Sequence, residues 1–187
     1  MDAVSMQGGF AAPPIGAARS FRAALQALSR PGTIHTLDGA EPPAPLSVAA
    51  GTLALTLCDH DTPVWLGPSV DLPEVRDWFA FHTGAPITSR PDARFALGAW
   101  DEMQPLSDFA VGTAEYPDRS ATLIVEFPAF GSAHRLTGPG IRDAASLTVP
   151  DPQAFQRNAA LYPLGLDSFL TSGDRVAGVP RTTRVEG

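Results

Sequence analysis

LSVAAGTLALTLCDHD, residues 46–61, can be read in two ways, and the choice sets the fold. TLALTL (52–57) places a leucine at every second position, as a strand would. Ser47, however, is a good helix N-cap, and the apolar run behind it exceeds the usual length of a strand. The segment therefore predicts a buried helix that opens at Ser47 and ends near Cys58.

Reading outward, PPIGAARSFRAALQALSRPGT (13–33) places Ile15, Ala18, Phe21, Leu25 and Leu28 at helical spacing in one apolar stripe. Pro31 and Gly32 stop that helix, and TIHTL (33–37) reads as a strand. On the other side, PVWL (63–66) is a short strand. DLPEVRDWFAFHTGAP (71–86) predicts a helix with Asp71 as cap, Glu74 at capping-box spacing and Gly84 as the stop. RFALGAW (94–100), SATLIVEF (120–127) and AHRLTGP (133–139) read as strands, and QPLSDFA (104–110) as a short helix. DPQAFQRNAALYP (151–163) reads as a helix capped by Asp151, with Pro152 in its first turn. DSFLTSGDRVAGVP (167–180) reads as two strands around a TSGD turn. Helices and strands alternate over much of the chain, which argues for a layered α/β domain. The expected organisation is a poorly packed N-terminus over 1–12 and a single α/β domain over 13–187.

A chain of 187 residues buries roughly 70% of its extended surface, enough for one core without staples. The net charge of −7 and pI near 4.9 argue against a nucleic acid polymer and against anionic membrane as partners. Cys58 is the single cysteine, which leaves no internal disulfide and favours a buried structural thiol. MDAVSMQGGF lacks the basic start and apolar core of a secretion signal, so a cytoplasmic location is expected.

The chain has thirteen arginines and no lysine. It therefore has no side-chain amine for a Schiff base, nor the lysine of a phosphate loop. RLTGPGI (135–141) contains Gly138 and Gly140, but Asp143 stands where a dinucleotide fingerprint needs its third glycine, so a tight turn is the reading. SRPGT (29–33) and PRTT (180–183) each join a guanidinium to hydroxyls, suited to phosphate or carboxylate and equally to a surface ion pair. CDHDTP (58–63) sets Asp59, His60 and Asp61 side by side, a metal-ligand composition without the spacing that pairs ligands on one face. His82 falls on the apolar stripe of its helix as a half-buried histidine. His35 and His134 lie in or beside strands.

FRAALQALSRPGTI (21–34), LTLCDHDTPVWL (55–66), FHTGAP (81–86), FPAF (127–130), RLTGPGI (135–141), YPLGLD (162–167) and VPRTT (179–183) occur together and in this order. That ordered set resembles the PhnH family, the H subunit of the bacterial carbon–phosphorus lyase machinery, from about Gly9 to Thr183. The resemblance implies a mixed β-sheet flanked by helices, similar to the pyridoxal-phosphate-dependent transferase fold but without the cofactor lysine. It implies no cofactor, partnership with the G, I and J subunits of a core complex, and a homodimer when alone. The function it implies is transfer of an alkylphosphonate to the ribose C1 of a purine nucleoside triphosphate with release of the base, in organophosphonate catabolism. The resemblance carries over no catalytic residue. Side-chain chemistry within the matching segments makes Arg30, Arg135 and Arg181 the first candidates for an anion and Arg142 and Thr182 the second. Two other expectations stand beside this one: an independent metal-assisted phosphoester hydrolase using Asp59, His60 and Asp61, and a purely structural homodimeric scaffold.

Overall fold

The computed structural model describes residues 7–186. Residues 46–61 form a helix, α2 (Val48–Leu57), as expected. The Ser47 Oγ accepts the Ala50 N–H at 3.1 Å, the capping bond that decides between helix and strand. Every residue from Ala49 to Ala54 is buried. A helix that is apolar on all sides is a core helix, and this explains why its alternation could imitate a strand.

α1 (Pro13–Ser29) also forms, but its apolar stripe is not its buried face. Ser20, Ala24 and Ala27 face the core, while Ile15, Phe21 and Leu25 stay 58%, 53% and 53% exposed. Close approach selects the small residues: a Cβ on Gly178 would stand 2.6 Å from the Ala27 carbonyl. The helix lies on the sheet almost backbone to backbone, leaving no room for large side chains on that side.

The main sheet has six strands: β1 (Ile34–Thr36), β2 (Val64–Leu66), β3 (Phe95–Ala99), β4 (Thr122–Glu126), β7 (Asp167–Ser172) and β8 (Arg175–Val179). Their spatial order is β1-β8-β7-β4-β3-β2. β2, β3, β4 and β7 run parallel, β8 is antiparallel to β7, and the edge strand β1 is antiparallel to β8 and so runs with the parallel set. Along β4, Ile124 joins the core under α1, α2 and α3 (Pro73–His82). Leu123 and Val125 point to the opposite core, which α4 (Pro152–Ala159) and a small antiparallel sheet close. That small sheet is β6 (Ala145–Leu147), β5 (His134–Thr137) and β9 (Arg184–Glu186), in that order. The chain is thus an α/β protein with a mixed sheet flanked by helices. No helix among the described residues is long and apolar enough to cross a membrane.

Two expectations need correction or placement. α3 is not capped by Asp71: the N-cap position is Leu72, and Pro73 supplies the first turn. One residue too early, the Asp71 carboxylate instead takes the guanidinium of Arg76 in a two-pronged pair. Of the N-terminal stretch, residues 1–6 lie outside the described residues. Gly8 accepts the Glu41 N–H at 2.9 Å, and the Gln7 carbonyl is 3.0 Å from His82 Nε2.

Candidate functional site

SRPG (29–32), TGPG (137–140) and PRTT (180–183) are far apart in sequence and meet on one side of the molecule. The 138–141 turn closes with an Ile141 N–H to Gly138 carbonyl bond of 3.2 Å. Gly138 and Gly140 take φ of +132° and +81°, where a side chain is strained. A Cβ on Gly138 would be 2.8 Å from the Thr182 carbonyl, and one on Gly140 only 2.0 Å from the Ser29 carbonyl. The glycines are there because two other backbones press against the turn. RLTGPGI is a tight bend that locks three loops together.

Arg181 is the most engaged arginine of this cluster. Its side chain is only 11% exposed. Nε and Nη2 grip the Asp167 carboxylate at 3.2 and 2.7 Å, and Nη1 reaches the Pro117 and Pro163 carbonyls at 2.8 and 3.3 Å. Nη2 also donates to Ser120 Oγ, so every guanidinium N–H is used inside the protein. The Arg181 N–H adds a further bond to Asp167, at 2.8 Å. Arg181 is a strut that ties the start of β7 to the loops at 117–120 and 163.

Arg135 faces Glu186 across the β5–β9 ladder and pairs with it at 2.7 Å, both side chains being about half exposed. Arg30 and Arg142 are exposed, with no side-chain hydrogen bond or ion pair to another described residue. Thr182 is half-buried and lines a cleft of about 540 Å³ with Thr137, Gly138, Pro139, Ala159, Tyr162, Arg181 and Arg184. Arg184 is exposed and, like Arg30, unpaired among the described residues. Arg184 carries no signal in the sequence, because RTTRVEG shows no apolar alternation to mark β9. Its register partner, Thr137, gives the placement only once the ladder is known. The cleft thus offers one uncommitted guanidinium, two threonines and the Tyr162 side chain, with the strut behind them. Such a set suits a small anion or a sugar hydroxyl.

The Asp59, His60 and Asp61 side chains do not converge. The Asp59 carboxylate accepts the Asp61 N–H at 2.9 Å and the Thr62 hydroxyl at 3.2 Å, closing a turn. His60 and Asp61 lie 3.3 Å apart at 79% and 83% exposure. No group of three or more histidine, cysteine or acidic side chains among the described residues could hold a metal. Cys58 is buried beside them, and burial with the adjacent Asp59 charge pushes its thiol up to about 12.

A second region bears on function: the carboxyl ends of the parallel strands, where open α/β sheets commonly bind ligands. Here the chain fills the space itself. Glu102 accepts the Ser69 N–H and hydroxyl at 2.6 and 2.7 Å and the Ala99 N–H at 3.0 Å. A Cβ on Gly67 would lie 2.5 Å from Glu102 Oε2. At the end of β4, Glu126 accepts the Ser47 N–H at 2.7 Å and the Thr171 hydroxyl at 3.3 Å. Burial raises the Glu126 carboxyl above its ordinary 4.5, and the Ser47 N–H partly offsets this. His82, His35 and His134 take no part in either region. They meet the Gln7 carbonyl, the Thr33 hydroxyl and the Val149 N–H respectively.

Comparison with known proteins adds the following. Residues 8–186 match the family described as bacterial phosphonate metabolism protein (PhnH). A relative from Rhizobium meliloti (strain 1021), named alpha-D-ribose 1-methylphosphonate 5-triphosphate synthase subunit PhnH, is 44% identical over 189 residues, covering 96% of this chain and 94% of the relative. A protein of Stutzerimonas stutzeri, named "Putative C-P lyase subunit protein HtxG", is 32% identical over 174 residues, covering 89% of this chain and 84% of the relative.

Proposed function

The chain belongs to the PhnH family of bacterial phosphonate metabolism proteins, and from that membership we propose that it is a subunit of the carbon–phosphorus lyase core complex. In that complex it serves the transfer of an alkylphosphonate to the ribose C1 of a purine nucleoside triphosphate with loss of the base; its Rhizobium relative is named as a subunit of an alpha-D-ribose 1-methylphosphonate 5-triphosphate synthase. It works with the G, I and J subunits, in the cytoplasm, and as a homodimer when alone. The observation that carries this reading is identity of 44% across 96% of the chain to a named synthase subunit.

With no lysine in the sequence, this chain has no side-chain amine to form a Schiff base. The fold reads as the pyridoxal-phosphate-dependent transferase type without its cofactor, a reading supported by the run of four parallel strands with one antiparallel strand, β8, set between β7 and the edge strand β1. Contact with anionic substrate falls to the uncommitted guanidinium groups Arg30, Arg142 and Arg184 with Thr182. Arg181 shapes the cleft, and Arg135 stays tethered to Glu186. The test is to co-express the four subunits with and without this chain, then to assay base release and phosphonate-ester formation separately. Loss of both on omission is expected. Undiminished turnover without the chain would refute the proposal, as would turnover by the chain alone.

A further inference from the structure

α1 presents to solvent a face that the other described residues do not cover. Ile15, Phe21 and Leu25 are more than half exposed on it. Arg19 and Arg22 stand among them, exposed and with no partner among the described residues. The helix has no acidic residue in its first turn, and none occurs anywhere in 13–29, although the whole chain carries twenty. An apolar ridge spiked with positive charge therefore lies on an otherwise acidic body.

We propose that this ridge is a docking surface, laid helix-in-groove into an apolar groove with an acidic rim on another protein of the assembly. Three physical points select that occupant. Ala18, Phe21 and Leu25 fall at i, i+3 and i+7, the spacing by which a helix inserts anchors into a groove, with Ile15 one turn before them. Uncompensated guanidinium groups at the rim of an apolar patch favour carboxylates opposite them. A second copy of the same helix is disfavoured, because an isologous contact sets Arg19 and Arg22 against the same charges. The 17-residue helix is roughly 25 Å long. One face of it is well short of the ~800 Å² a side that a stable two-protein interface needs. The ridge is thus one arm of a larger contact, which suits a multi-subunit assembly. The inference rests on the subunit role proposed above and adds the face through which the chain enters.

The test uses the full chain, tagged and co-expressed with the G, I and J subunits. Wild type is compared with Phe21→Gln/Leu25→Gln and with Arg19→Glu/Arg22→Glu, with thermal melting and the size of the isolated chain measured alongside. These residues are exposed and glutamine and glutamate are good helix formers, so folding should be kept. Retention of the partner subunits should fall roughly tenfold or more in both variants, and wild-type retention should weaken as salt is raised. If wild type and both variants retain partners equally, the ridge is not the docking face and the subunit role survives. If wild type itself retains none, the subunit role fails and this inference falls with it. A change in the isolated chain's oligomeric size would make a second copy the occupant, and a lowered melting temperature with unchanged capture would make the ridge an internal packing surface. Either result overturns the proposal.

Discussion

The carboxyl edge of the parallel strands and the cluster of turns around Gly138 make opposite use of similar materials. Both are rich in tight backbone and glycine. At the strand edge, Glu102 and Glu126 take up the free N–H groups, so an arriving anion meets carboxylates. At the turns, Arg181 is drawn inward as a strut and Arg184 is left facing the cleft. Two regions that could each have formed an anion site thus differ in which charge the chain keeps for itself. The lesson is that a fold's customary ligand position can be sealed by its own side chains, and recognition then moves to where a charge remains unpaired.

The sharpest way to break this contrast is to remove the strut. Arg181→Ala leaves Asp167 partly buried without its partner and should cost about 3–5 kcal/mol in urea unfolding. Lysine should not restore it, since one ammonium cannot replace a planar five-donor fork. A loss below 1 kcal/mol would return Arg181 to the pool of ligand candidates. Next in size, Glu102→Ala removes the acceptor of the exposed Ser69 and part-buried Ala99 N–H groups and should cost about 1 kcal/mol. If phosphate then protected the variant against heat, the sealed edge would be shown to be an anion hole in waiting.

A pH series sharpens the same comparison. Folded Glu126 holds its proton to higher pH than the unfolded chain, whose carboxyl titrates near 4.5. The native state therefore binds more protons above that pH, and this group's contribution to stability declines as pH rises through the raised folded value. Glu126→Gln keeps an acceptor for the Ser47 N–H but does not titrate. Its stability relative to wild type should rise from pH 4.5 towards neutrality. A difference that stays constant with pH would contradict the buried carboxylate. Smallest of all, Arg135→Ala should cost under about 1 kcal/mol, because its pair with Glu186 is exposed.

Much of the fold was legible beforehand, for local reasons. Ser47 and Asp151 cap their helices as their positions suggest, with bonds of 3.1 Å each to the third residue on. SATLIVEF pairs at the centre of the sheet, where β-branched residues fit a surface packed on both sides. What failed was set by distant neighbours. The stripe on α1 pointed outward because Gly178, more than 150 positions away, lets the helix backbone come close. Arg181 looked like a free fork until Asp167, Ser120 and Pro117 arrived from other loops. β6 and β9 are three residues each and carry no periodicity of their own, and with them the place of Arg184 was hidden. The family resemblance was legible because it rests on ordered segments. Spatial convergence of SRPG, TGPG and PRTT was not, since sequence distance says nothing of which turns touch.

The most direct test of the account is the activity of the assembly reconstituted with Arg184→Ala. Arg184 is exposed and unpaired among the described residues, so fold and assembly should be unchanged within about 0.5 kcal/mol, while base release should drop roughly tenfold from loss of one charge-assisted contact to the anion. An intact assembly that releases base at the wild-type rate would contradict it.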